Sequence, residues 1–264
     1  MARVISGLVM AIAVVAMILM VPVAICQYII AAFSLICAWE FFTVISLGQV
    51  NRFAGVILTA VGVLGVLFKA DQFDFLSYLY VVMTTSFLMQ LFGTADDNKA
   101  RYLRAAGFCL GVVYVVVSFS YLVRLFTLEH FRFWIFLVLA STFLGDTFAY
   151  FAGRSFGKRK LAPTISPGKT NAGLWGALLG GIVGAMVVRI LFWPEAPLLQ
   201  TLLIGLFVAL IGAMGDLSES LIKRAFSVKD SGNLIPGHGG LLDRLDGLMF
   251  TAPFVYSASH WMGL

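Results

Sequence analysis

Acidic residues between positions 215 and 246 have the types and spacing that suit chemistry on phosphates. Asp216 lies four residues before Ser220, and Asp243 lies three residues before Asp246, so on helices the members of each pair share a face. Carboxylates gathered in this way suit Mg²⁺, which takes one or two of them and completes its shell with water and phosphate oxygens. The spacing therefore indicates phosphoryl or nucleotidyl transfer.

The stretch between the two pairs is rich in basic residues and glycines. The basic side chains can donate to phosphate oxygens, and the glycines let the backbone approach a ligand closely. These residues are Lys223, Arg224, Lys229, His238, Arg244, Gly237, Gly239 and Gly240. The alternative is a solvated loop whose acids and bases only pair with one another, which contributes little. The helical spacing of the acids around the glycines favours a site.

Two further acids lie within apolar segments. Asp146 is near one end of its segment, with Tyr150 one turn later. An acid at that depth in a membrane costs free energy and by default faces a cavity or a partner, so Asp146 is a candidate site residue. The alternative is an acid that is paired within its own helix. Glu40 stands between Trp39 and Phe41, and a structural hydrogen bond is the favoured interpretation.

The elements that position these residues are apolar helices. Of 264 residues, 61% are hydrophobic and 12% are charged, which excludes a soluble domain, since those have about a quarter charged residues. The sequence predicts an all-α fold, a polytopic transmembrane helical bundle of about nine spans, because each apolar stretch could cross about 30 Å of hydrocarbon. The predicted spans are 4–25, 28–48, 53–70, 73–93, 102–126, 131–152, 173–193, 198–218 and 247–263.

The distribution of basic residues predicts the orientation of the bundle. With a cytoplasmic N-terminus, 14 of the 18 Lys and Arg residues are cytoplasmic and 4 are outside, as the positive-inside rule requires. We expect one integral membrane domain over 1–264, with N-terminal spans in 1–130 and a catalytic half in 131–264. The catalytic half has two cytoplasmic loops, 153–171 and 219–246. The excess of basic residues is thus explained by membrane topology, and no nucleic-acid partner is expected.

The spacing of the charged segment resembles the signature of the phosphatidate cytidylyltransferases, also called CDP-diacylglycerol synthases. The matching positions are Ser220, Lys223, Arg224, Lys229, Asp230, Gly232, Pro236, Gly237, His238, Gly239, Gly240, Asp243, Arg244 and Asp246. The resemblance continues upstream in Gly145-Asp146-Thr147 and in Ser166-Pro167-Gly168-Lys169-Thr170, and covers roughly 145–250 by motif. It departs from the family at Ala172, where an acid is usual, so position 172 is left out of the site.

The resemblance implies transfer of the cytidylyl group of CTP to phosphatidic acid, giving CDP-diacylglycerol and pyrophosphate in phospholipid biosynthesis. It implies Mg²⁺ on Asp216, Asp243 and Asp246, and it allows a second cation and a homodimer. Lys223, Arg224 and Arg244 would act with these acids in catalysis. The implied substrate-binding residues are Asp146, Ser166, Lys169, Ser220, Lys229, Asp230, His238, Gly239 and Gly240. The expected location is a bacterial inner membrane.

Two other functions stay open at this point. A CTP-dependent lipid kinase would transfer the γ-phosphate of CTP to a lipid alcohol. A cation-coupled transporter would use the membrane acids Asp146 and Asp216 as ion sites. The concentration of polar residues on one side of the membrane, and the lack of an inverted repeat, disfavour transport.

Overall fold

The computed structural model describes residues 2–69, 72–92, 97–234 and 239–261. Within these ranges the chain forms nine α-helices and one two-stranded antiparallel hairpin. The helices are α1 (Ala2–Met20), α2 (Val23–Val44), α3 (Gln49–Lys69), α4 (Phe75–Leu91), α5 (Asn98–Leu125), α6 (Phe131–Phe156), α7 (Asn171–Phe192), α8 (Leu198–Ala225) and α9 (Leu242–Trp261). The strands are β1 (Lys160–Ala162) and β2 (Ser166–Thr170).

The predicted all-α transmembrane fold class is confirmed. Among the residues described, six helices are long and apolar enough to cross a membrane: α2, α3, α5, α6, α7 and α8. The expected number of nine spans is not confirmed. The apolar helix α4 has only 17 residues, and α9 carries three charged residues in its first turns, Asp243, Arg244 and Asp246.

The helices run further into the two predicted polar loops than expected. In the first loop, predicted over 153–171, α6 continues to Phe156 and the hairpin occupies most of the remainder. In the second, predicted over 219–246, α8 continues to Ala225 and α9 begins at Leu242. Charged residues that were expected in loops therefore lie on the ends of long helices.

The chain divides into two compact units, each made of two separate stretches of the sequence. The first unit contains 1–123 and 225–244, and the second contains 124–224 and 245–264. The segment 225–244 thus belongs to the same compact unit as the helices of 1–123.

The first unit has an aromatic core between α2, α3 and α5. The Phe42 and Phe108 rings stack with centroids 5.4 Å apart, and both side chains are fully buried. Gly55 on α3 and Gly111 on α5 lie directly against the rings of α2, where no Cβ would fit. The absence of side chains at these glycines lets α3 and α5 approach the large aromatic residues of α2.

The second unit is held together by glycines of α7. A Cβ placed on Gly176 would lie 2.6 Å from the carbonyl oxygen of Phe148, and one on Gly184 would lie 2.6 Å from that of Ala140. Gly180, between them, is equally close to α6, while Gly181 faces α8. Small residues at this spacing allow close backbone packing, the usual way in which membrane helices associate.

Candidate functional site

The hairpin places Lys169 beside Asp216 in the second unit. Lys169 precedes Thr170, whose hydroxyl accepts a hydrogen bond from Gly173 N (3.0 Å) and so caps the N-terminus of α7. This fixed junction between β2 and α7 holds the lysine, whose Nζ lies 2.6 Å from Asp216 Oδ2 and donates to the carbonyl of Ala213 (3.2 Å). Two predicted site residues that are 47 positions apart are thus in direct contact.

Asp246 shares the electrostatic environment of Asp216. Burial and the nearby Asp216 carboxylate raise the pKa of Asp246 to about 7, against the opposing effects of the Gly247 N–H and Lys223. Gly215 permits this proximity, since a Cβ there would lie 2.8 Å from the backbone carbonyl of Asp246. The result is a partly buried acidic centre on α8 and α9, formed by Asp216 and Asp246.

Lys223 forms an ion pair with Glu219, a residue outside the predicted site. Its Nζ lies 2.6 Å from Oε2 of Glu219, whose side chain is only 2% exposed. Burial of a carboxylate is costly unless it is paired, so Lys223 compensates Glu219 and also lowers the pKa of Asp246. The i, i+4 spacing of an acid before a lysine on a helix was the available signal for this pair.

Four other predicted residues of the second unit have distinct positions. Ser220 Oγ lies 3.4 Å from Asp216 Oδ1, which confirms that the pair shares a helix face. Arg224 is exposed, and its Nε approaches the carbonyl of Ile165 at 3.5 Å. Asp146 is exposed on α6 and is one of the charges that raise the pKa of Asp246, whereas Ser166 is half-buried at the start of β2.

In the first unit, Asp243 organises the glycine-rich segment before α9. Its Oδ2 accepts hydrogen bonds from Ser231 N (2.9 Å) and Gly240 N (2.8 Å). Gly239 has a φ of +81°, a conformation that favours glycine, and a Cβ there would lie 2.6 Å from Asp243 Oδ2. The carboxylate thus links the backbone of Ser231 to that of Gly240.

Glu40 binds the same segment from α2. Its Oε1 accepts from Leu241 N (3.0 Å) and its Oε2 accepts from Leu242 N (2.8 Å). The side chain of Ser231 lies 3.1 Å from Oε2. Glu40 is 6% exposed, so the structural hydrogen bond favoured from the sequence is present. The identity of its partners, about 200 residues away in the chain, could not be read from the sequence.

The remaining predicted residues are at the surface or lie outside the described ranges. Lys229, Asp230 and Arg244 are exposed in the first unit. His238 lies outside the described residues, as do Pro236 and Gly237 of the motif. In the part of the chain that the structure does describe, no group of three or more His, Cys, Asp or Glu side chains is arranged to hold a metal ion. Among these described residues, the predicted ligands Asp216, Asp243 and Asp246 therefore do not form one metal-binding group, and Asp216 is the predicted ligand whose charge raises the pKa of Asp246.

Membrane-length helices with acidic and basic residues near their ends are combined in a known protein family. The chain belongs to the cytidylyltransferase family, whose model matches residues 1–262.

Individual relatives in this family carry a more specific name. The chain is 35% identical over 190 residues to the phosphatidate cytidylyltransferase of Bacillus subtilis, covering 72% of this chain and 70% of the relative. It is 34% identical over 201 residues to that of Staphylococcus saprophyticus, covering 75% and 76%. It is 32% identical over 235 residues to that of Thermotoga maritima, covering 86% and 85%. The resemblance inferred from the motif is confirmed.

Proposed function

We propose that the protein is a phosphatidate cytidylyltransferase, which transfers the cytidylyl group of CTP to phosphatidic acid. The observation that carries this proposal is the family match over 1–262, with relatives of that name aligned over 70% or more of their length. The charged motif residues fall within the matched region, and the structure brings Lys169, Asp216 and Asp246 together within it.

In this reaction a phosphate oxygen of phosphatidic acid attacks the α-phosphorus of CTP. A new P–O–P bond forms, the bond between the α- and β-phosphates breaks, and pyrophosphate leaves with its electron pair. A phosphate monoester is already largely ionised near neutral pH, so no general base is required. The task of the protein is then to position two anionic substrates and to neutralise their charge.

The basic residues of the second unit are suited to this task. Lys169 is held rigidly at the junction of β2 and α7, and Lys223 is held by Glu219, so both ammonium groups have defined positions. Arg224 at the end of α8 is exposed and can donate two parallel hydrogen bonds to a phosphate. We assign phosphate binding to these three residues, with Lys229 and Arg244 as further exposed donors in the first unit.

The acidic residues fit Mg²⁺. Asp216 and Asp246 offer hard oxygen ligands. Burial and, after it, repulsion from Asp216 raise the pKa of Asp246, and a divalent cation would relieve that repulsion. Two carboxylates are sufficient, because water and phosphate oxygens complete the shell. Asp243, three residues before Asp246 on α9, is the third ligand that the sequence predicts. When bound, the metal would supply neutralisation of charge on the phosphates.

The proposal includes the location and orientation of the chain. A lipid substrate and a water-borne nucleotide must meet at the membrane surface, which suits charged residues at the ends of membrane-length helices. The excess of basic residues supports a cytoplasmic location of these ends by the positive-inside rule, and the bacterial origin of the relatives supports the inner membrane. A homodimer remains part of the expectation from the family resemblance.

The proposal is tested with purified protein in mixed micelles that contain phosphatidic acid. Addition of CTP and Mg²⁺ should yield CDP-diacylglycerol, EDTA should stop the reaction, and excess Mg²⁺ should restore it. Omission of phosphatidic acid is the control for hydrolysis of CTP. Absence of the liponucleotide under all conditions, with the protein shown to be folded, would contradict the proposal.

A further inference from the structure

Glu40 is a buried carboxylate that none of the chemistry above uses. It lies near the C-terminal end of α2, within a helix apolar enough to cross a membrane, and is 6% exposed. An acid in such a helix is costly, and its retention requires partners. Its hydrogen-bond partners given above come from a single segment, the first residues of α9 and the serine at the start of the glycine-rich stretch.

The backbone of that segment is shaped to fit this carboxylate. A Cβ on Gly240 would collide with Ser231 Oγ and lie 2.5 Å from Glu40 Oε2. A Cβ on Gly232 would lie 2.7 Å from Oε1. Only glycine at these two positions lets the chain close around Glu40.

Ser231 joins Glu40 to Asp243. Its Oγ is 3.1 Å from Glu40 Oε2 and 3.0 Å from Asp243 Oδ2, so the single hydroxyl proton can be donated to either carboxylate. Asp243 in turn accepts from the backbone of Ser231 and Gly240. The two acids thus hold one short segment from both sides, and movement of either changes the support of the other.

We propose that Glu40 is a positioning residue for cytidylyl transfer, which sets the orientation of Asp243 and the N-terminus of α9 through Ser231, Leu241 and Leu242. This inference rests on the proposed function, since Asp243 belongs to the reacting site only if that proposal holds. Glu40 is far from Asp243 in the sequence, outside the region 145–250 that the motif covers. Its role is to hold Asp243 in one arrangement.

The Glu40→Gln variant tests this role. A carboxylate accepts at both oxygens, whereas an amide directs its N–H groups at Leu241 N or Leu242 N, and one buried donor loses its partner. We expect kcat to fall at least tenfold while the KM values for CTP and phosphatidic acid change less than threefold, because misplacement affects the transition state more than binding. Hydrogen exchange of the Gly240–Leu242 amides should rise, with exchange in α7 unchanged.

Ser231→Ala is the second variant, and it keeps the proposal testable if Glu40→Gln does not fold. It keeps the Glu40 bonds to the backbone and removes only the hydroxyl that joins the two acids. We expect a smaller fall in kcat, of threefold to tenfold, with faster exchange at Gly240. In the double variant the fall should be less than the product of the two single effects, since both act through one network.

Glu129→Gln is the matched control, because Glu129 is an acid whose side chain is 76% exposed and whose Oε1 lies 3.9 Å from Nε2 of the neighbouring His130. It should leave kcat and exchange unchanged. The proposal would be overturned if Glu40→Gln and Ser231→Ala both kept kcat within twofold of wild type while hydrogen exchange became faster. Glu40 would then have a structural role only. Unchanged exchange would overturn the proposal as well. Inactivity of the wild-type protein would instead count against the proposed function.

Discussion

Asp246 lies in a partly buried environment where its negative charge is disfavoured. Burial and the Asp216 carboxylate both raise its pKa, and Lys223 compensates only in part. If this side chain served only for packing, a neutral residue at the same position would cost less free energy. The presence of two acids at this position agrees with the proposed cation site, in which their charges would be used together.

Replacement of Asp246 by Asn tests this use of charge. The variant keeps the shape of the side chain and removes one ligand, so turnover should fall by more than about tenfold, as a metal ligand supports several kcal/mol of charge stabilisation. The measurement is initial rate against Mg²⁺ concentration. Asp74→Asn is the control, because Asp74 caps α4 through Leu76 N and Ser77 N and Asn caps equally well. Near-normal turnover of Asp246→Asn at limiting Mg²⁺ would refute the ligand assignment.

The contact of Lys169 with Asp216 gives a second prediction. Lys169→Met keeps the length of the side chain but removes the ammonium group 2.6 Å from the carboxylate. We expect lower turnover and a higher KM for CTP, because a fixed phosphate donor is lost. Lys160→Met, an exposed lysine on the neighbouring strand, should have little effect. Steady-state kinetics of both variants are the measurement. Equal effects would mean that the loss of positive charge in general, and not the contact with Asp216, lowers activity.

At this scale the sequence predicted local contacts but few of the long-range partners of each residue. The helical spacing of Asp216 and Ser220 correctly predicted their shared face. The pairing of Lys169 with Asp216 depends on a tertiary fold, and the burial of Glu219 depends on which face of α8 packs inward, so neither could be read from local patterns. Glu40 was placed correctly as hydrogen-bonded, but its partners in α9 required the structure.

At the scale of elements, α7 is the helix on which the second unit depends. Its glycines at 176, 180 and 184 face the backbone of α6. Apolar character alone predicted α7 as a span, but it did not indicate which face would pack so closely. The hairpin of β1 and β2 was missed, because two strands of three and five residues, rich in Lys, Pro and Gly, have no alternating apolar pattern.

Gly176→Ala should destabilise this packing. The added methyl group would lie 2.6 Å from the Phe148 carbonyl and 2.7 Å from Ala152 Cβ, so the helices must separate. We expect the free energy of unfolding to fall by about 1–3 kcal/mol, as for other overpacked cores. Thermal unfolding in detergent measures the change.

Gly107→Ala on α5 is the comparison for that variant. A Cβ there would meet only Ile45 Cδ1 at 3.4 Å, an ordinary contact. Because Ala favours a helix over Gly, this variant should be neutral or slightly stabilised. Equal destabilisation of both variants would mean that close packing of α6 and α7 is not the cause.

At the scale of the whole molecule, the positive-inside rule gives a topology that labelling can test. In a protein without Cys26, Cys37 and Cys109, a cysteine at exposed Asn233 should react in intact cells only with a membrane-permeant reagent. A cysteine at exposed Glu195, between α7 and α8, should react with an impermeant reagent as well. The reverse pattern would overturn the orientation.

The most direct test of the central claim follows the phosphorus atoms of CTP during the reaction. Purified protein is given phosphatidic acid, the lipid alcohol diacylglycerol, Mg²⁺ and CTP labelled at either the α- or the γ-phosphate, and the lipid and water-soluble products are separated. Cytidylyl transfer predicts that the α label enters the lipid and that the γ label leaves as pyrophosphate. Entry of the γ label into the lipid, with release of CDP, would indicate a kinase, and a lipid free of both labels would contradict the account altogether.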